Sequence, residues 1–206
     1  MRKALFPAAL SAAMLLLTAC TASAPAAAPA ESTTPAPAAP ATPAFVELDT
    51  AQAASRYLDL VCPNNIAIKN LRDAFSSGED ELLNGGDPDP SGVHAAASAR
   101  LDLTRRTLTL LDDSYYHWPS DVSEQIATIR GSYIAEMSTL NTMANSADFS
   151  DAYYSTFPEA TTEQQSAGQE VRYALGIDPD TVASCVGHEN GIDALTSEKE
   201  QRDAGA

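Results

Sequence analysis

The sequence predicts an all-α fold: a single irregular four-helix antiparallel bundle that follows a disordered Ala/Pro linker. Three observations carry this. No stretch of five or more residues alternates apolar and polar side chains, the pattern of a half-buried strand. Four stretches instead repeat apolar residues every three or four positions, which is helix spacing. Proline, glycine and candidate N-cap residues stand at the boundaries of those stretches.

The chain begins with a different kind of element. Arg2 and Lys3 precede the apolar run from Leu5 to Leu17. That run falls short of the about 20 residues a membrane-spanning helix needs, and it has the proportions of a secretory h-region. It closes on Leu17-Thr18-Ala19-Cys20, which resembles the lipobox of bacterial lipoproteins: leucine three places before cysteine, with small residues between. The resemblance implies that residues 1–19 are a signal peptide, that Cys20 is diacylated (palmitate or a similar chain), and that the protein is held on the extracytoplasmic face of the cell membrane. Two acyl chains anchor stably where one binds marginally. An ordinary signal peptide with an incidental cysteine is the competing reading.

Between Thr21 and Ala44 only Ala, Pro, Ser and Thr occur, apart from Glu31. Such a segment cannot bury enough apolar surface to offset the entropy of ordering. Residues 20–44 therefore read as a lipidated, disordered tether. Its reach is at most on the order of 70 Å, at ~3.1 Å per extended residue.

A helical domain is expected over residues 45–190. Asp49 and Thr50 are candidate N-caps for a first helix through Cys62, with Tyr57, Leu58, Val61 and Cys62 on one face. Pro63 removes a backbone donor and predicts a break or kink. Spacing resumes through Leu71 and Phe75, and Gly78 with the loop at residues 84–90 ends the unit. Ser91 is the expected cap of the second helix, whose stripe runs from Val93 to Leu111. Pro119 and Ser120 open the third, with the stripe Val122, Ile126, Ile129, Tyr133, Met137 and Leu140. A short aromatic segment follows, from Phe149 to Phe157. Thr161 or Thr162, each with glutamine three residues on, opens the fourth helix as a capping box, and Gly176 suits its C-terminal cap. The next short segment carries Val182, expected to face the core, and Cys185. From His188 the chain is polar, and residues 191–206 are expected to fray as a tail.

If Cys20 is lipidated, Cys62 and Cys185 remain as an even pair in an oxidising compartment, which predicts a disulfide between the first helix and the C-terminal part of the domain. A catalytic thiol or a metal ligand is the alternative. Cys185-Val186-Gly187-His188 has a Cys-x-x-His spacing, but zinc needs four ligands and no second pair is apparent. Neither a metal nor another cofactor is expected. Asp87 to Gly92 resembles half a calcium loop, yet Ser98 stands where the bidentate glutamate belongs, so a turn into a helix is the simpler reading.

The densest group of functional-looking side chains is Asp112, Asp113, Tyr115, Tyr116, His117 and Trp118. Asp113 and His117, four apart, with Trp118 beside them and the Tyr153-Tyr154 pair as a further contributor, form a candidate small-ligand or hydrolytic site. The simpler reading is a helix end with Trp118 packing before the next helix. No Gly-x-Ser-x-Gly elbow, Ser-x-x-Lys or phosphate-cradling loop occurs.

The chain has 28 acidic and 12 basic residues, a net charge of −16, and loss of Arg2 and Lys3 would make it more negative. That argues against nucleic acid as a partner, because phosphate binding needs a basic face. The expectation is a non-catalytic binding or structural domain, attached to the membrane by its lipid and facing an envelope protein or ligand. The stretch Tyr57 to Asn65 (Tyr-Leu-x-x-Val-Cys-Pro-x-Asn), the Trp-Pro helix start and the Ala-Leu-Gly at the close of the fourth helix resemble actinobacterial surface lipoproteins. That resemblance implies no activity.

Overall fold

The computed structural model describes residues 45–205. The signal segment, Cys20 and the linker lie outside the described residues. The domain is a helical bundle, but the expected strand-free set of four helices is overturned. Six α-helices and one two-stranded parallel sheet form instead: β1 (Val46–Glu47), α1 (Thr50–Leu83), α2 (Ser91–Leu111), β2 (Tyr116–His117), α3 (Ser123–Ala144), α4 (Phe149–Tyr153), α5 (Thr162–Ala174) and α6 (Gly191–Ala204).

Asp49 caps α1 in a reciprocal capping box. Its carboxylate accepts from the Gln52 backbone N–H at 2.8 Å, and the Gln52 side chain accepts from the Asp49 N–H at 3.0 Å. Pro63 does not end this helix, which continues to Leu83. The proline leaves the Asp59 carbonyl without an intrahelical donor, and packing against the rest of the domain holds the helix through that point. Nor does Gly78 end it. A β-carbon at Gly78 would come within 2.7 Å of the Phe149 ring, so the position is a packing contact inside the helix.

Ser91 does not cap α2. Its N–H and hydroxyl both donate to the Asp89 carboxylate, and Pro90 occupies the cap position. This bonding makes the Asp87–Gly92 stretch a turn leading into α2. Pro119 makes a turn before α3, its carbonyl accepting from the N–H groups of Val122 and Ser123. The sheet joins Val46 to Tyr116 and Glu47 to His117. Two residues per strand are too few to show an alternating pattern. The five-residue α4 is capped by Asp148, which accepts from the Asp151 N–H at 2.8 Å. Thr161 and Gln164 form the capping box of α5.

The supposed tail is α6. It buries Ile192 and Leu195 with Leu60 and Leu110. Its start sits directly on α1: a β-carbon at Gly191 would lie 2.3 Å from the Asp59 Cα and 2.5 Å from the Asp59 carbonyl oxygen. Only a residue without a side chain permits this approach.

Two larger cores complete the domain. One gathers Tyr57, Leu58, Val61 and Cys62 from α1, Ile126 from α3 with Val122 just before it, and Val171 from α5, with Trp118 against it. The other gathers Leu71, Val93, Leu101, Leu140, Met143 and Phe149 from α1 to α4. No helix among the described residues is long and apolar enough to cross a membrane.

Candidate functional site

Cys62 and Cys185 form a disulfide, with their Cα atoms 5.4 Å apart. It fastens the loop between α5 and α6 onto α1. The loop begins with a Schellman turn at the end of α5. Gly176 takes φ +66°, the Gly176 N–H donates to the Tyr173 carbonyl and the Ile177 N–H to the Arg172 carbonyl. Buried Arg172 then donates to the Asp178 carbonyl at 2.6 Å and to the Ser184 hydroxyl at 2.8 Å. The Asp180 carboxylate accepts from the N–H groups of Val182 and Ala183, and these backbone bonds hold its pKa below the usual aspartate range. His188 Nδ1 lies 2.7 Å from Asp59 Oδ1. Cys185 and His188 are therefore both in use, and no cluster of three metal-ligating side chains exists among the described residues.

So held, the loop turns Val182 and Val186 outward, 79% and 74% exposed. This corrects the expectation that Val182 faces the core. The fixed backbone of the loop keeps both apolar side chains in water. They line a groove of about 550 Å³ against α1, with Ile66, Ile68, Lys69 and Arg72 on the helix side. Lys69 is engaged by Asp73 at 2.5 Å, at i,i+4 spacing.

A second cavity, of about 280 Å³, adjoins the groove at Asn65 and Thr181. It is more polar, lined by Tyr57, Tyr133, Glu136, Gln164, Gln169 and Arg172 among others. The Tyr57 hydroxyl donates to the Gly168 carbonyl at 3.2 Å. Burial pushes the Tyr57 and Tyr133 phenols above their ordinary range. Burial also raises Glu136, although its ion pair with Arg100 pulls the other way. Arg172 carries one buried guanidinium nitrogen without a hydrogen-bond partner.

The Asp113–His117–Trp118 candidate is taken apart by its own neighbours. Asp113 accepts from Arg202 at 2.6 Å and from the Tyr115 N–H at 3.1 Å, and its side chain is 6% exposed. His117 is turned to Glu47, 3.1 Å away, and stacks on Phe45 with centroids 4.4 Å apart. Trp118 is half-buried between two cores. Tyr153 packs with Phe75 and Phe149 in the remaining one. Around Tyr115 and Tyr116 the fold adds residues that sequence proximity could not supply: Arg56 stacked on Tyr116 at 3.8 Å, Arg202 on Tyr115 at 4.3 Å, and Glu198 accepting from the Tyr116 hydroxyl. Arg56 pairs with Glu198 and Arg202 with Asp113, although each guanidinium keeps one buried nitrogen without a hydrogen-bond partner, and the knot reads as the clamp of α6 onto α1 and β2.

No protein-family model, curated protein or solved structure matches the chain.

Proposed function

We propose that this chain is a lipid-anchored envelope protein whose helical domain is a non-catalytic binding module. The anchor reading rests on Leu17 to Cys20 and on the basic, apolar segment before them. The composition of residues 21–44 suits a spacer that holds the domain off the membrane. The binding reading rests on one observation: Val182 and Val186 stand exposed on a loop pinned by Arg172, the disulfide and His188, and they wall an apolar groove. A groove of this size and lining falls in the range of small-molecule sites.

Two measurements test the proposal. Exported wild-type protein should enter the detergent phase on phase separation, while Cys20→Ser should be left uncleaved or unacylated. Equal aqueous partitioning of both would sink the anchor. Exported wild type should also carry a co-purifying species that the variant Val182→Asp/Val186→Asp lacks. Identical bound material in both would remove the groove as the binding site.

A further inference from the structure

We infer that the groove beside the Cys62–Cys185 disulfide takes a single-chain amphiphile with an anionic head. The apolar chain lies along Ile66, Val182 and Val186, and the head meets Arg72. This rests on the binding-module reading and names the ligand class for that same groove.

The apolar half of the argument is the lining. The isoleucines of α1 face the two exposed valines across about 550 Å³. A groove of that volume, within the range of small-molecule sites, suits one flexible chain.

The charged half comes from counting partners. The chain has 28 acidic residues against 12 basic ones. Among the described residues, every lysine and arginine except Arg72 and Arg172 forms an ion pair with a carboxylate. Those two exceptions line the two adjoining cavities, Arg72 the groove and Arg172 the polar chamber. Arg172 is held in place through Nη1, which donates to Asp178 and Ser184, and its unpartnered Nη2 is buried, whereas Arg72 is exposed and has no hydrogen-bond or ion-pair partner among the described residues. Among the described residues, the one carboxylate lining the groove, Glu189, accepts from the Gly187 N–H at 3.0 Å and forms no ion pair with Arg72. With carboxylates in such excess along the chain, a guanidinium left without one is available to an anion from outside. Guanidinium geometry suits a carboxylate or phosphate head, which it binds with two parallel hydrogen bonds.

The test uses the exported full-length chain in its own membrane. It is photolabelled with diazirine-bearing palmitate or with diazirine-bearing hexadecanol, which has the same chain without the charge. Peptide mapping should place the palmitate label within residues 61–72 and 181–189, about tenfold above the alcohol, the ratio expected for one charge-assisted contact. Arg72→Gln should bring palmitate labelling down to the alcohol level, and Arg72→Lys, which keeps the charge, should retain most of it. Val182→Asp/Val186→Asp should lose both labels. Unlabelled palmitate should compete, and inorganic phosphate should not. Equal labelling by the two probes, or labelling indifferent to Arg72→Gln, overturns the anionic head. Displacement by phosphate overturns the amphiphile in favour of a free anion. If neither probe labels the groove but a protein co-purifies in a Val182- and Val186-dependent way, the ligand class is wrong and the binding-module reading stands. If nothing recovered depends on the groove, both fall.

Discussion

Removing the Cys62–Cys185 bridge is the perturbation with the largest expected effect on the domain. The two cysteines are 123 residues apart, so the bond closes most of the domain into one loop. Chain-entropy reasoning gives about 5 kcal/mol for a loop of that length, as an upper figure. At roughly 2–4 °C per kcal/mol for a domain of this size, the melting temperature should fall by about 10–20 °C. Cys62 is fully buried, so Cys62→Ala/Cys185→Ala adds a small packing loss that simple reduction does not. Helix content at 25 °C should survive both treatments. Arg172 still holds Asp178, His188 still faces Asp59, and the helices keep their cores and capping boxes. The assay is thermal circular dichroism of the exported protein, oxidised and reduced, with thiols counted in each sample. A shift under about 3 °C with both thiols free would refute the reasoning, since the loop-closure contribution would then be absent. Loss of helix at 25 °C on reduction would refute it from the other side, by making the bond a condition of folding.

Gly191→Ala should cost about 1–3 kcal/mol or more, because the added carbon meets the Asp59 backbone of α1 rather than a side chain that can move. Faster amide exchange across α6 together with a lower melting temperature would report it, and wild-type values for both would contradict it. Gly92→Ala makes the contrast: nothing lies within 4 Å of the added carbon, so the variant should be neutral or stabilised by up to ~1 kcal/mol in the same melt. Burial raises the Tyr133 phenol in the folded state. Its contribution is therefore fully present below the unfolded tyrosine value of about 10 and is lost as pH rises through the folded value. Tyr133→Phe should leave neutral-pH stability nearly unchanged and make the alkaline decline shallower, by up to about 1.4 kcal/mol per pH unit. Parallel stability curves for the two proteins between pH 9 and 12 would show that Tyr133 titrates alike in both states.

The helical periods of α1, α2, α3 and α5 were legible because each stripe runs for several turns, and the stripes end up in the two large cores. The cap chemistry at Thr161 and Gln164, and the cysteine pairing, were local or compositional signals that survive folding. What could not be read depended on tertiary packing. Only Ile192 and Leu195 commit α6 to the core, too short a stripe to stand out in a polar segment. Pro63 carries a strong local penalty, yet α1 continues because both halves are buried against other elements. Val182 looked like a core residue by type, and the single 3₁₀ turn that follows it, Ala183–Cys185, is too short to carry a period that would show it facing out.

The candidate site fared differently for a related reason. Density along the chain drew attention to Asp113, His117 and Trp118, but density measures nearness in sequence, and the partners of Asp113 and His117 are Arg202 and Glu47. The signal that does point to the groove is a missing neighbour. Lys69 has Asp73, Arg105 has Asp102 and Lys199 has Asp203 at helical spacing, and all three pairs form. Arg72 has Ile68, Lys69, Phe75 and Ser76 at those spacings, and Arg100, Arg130 and Arg172 likewise lack a local acid. Arg100 and Arg130 find carboxylates across the fold, in Glu136 and Asp112. Arg72 and Arg172 do not, and they come to lie in adjoining cavities. Local spacing narrows the cations to a few without partners. Only the closed fold shows which of them lack a carboxylate, and the proposal of an anion site at Arg72, rather than at the aromatic cluster around Asp113, rests on that.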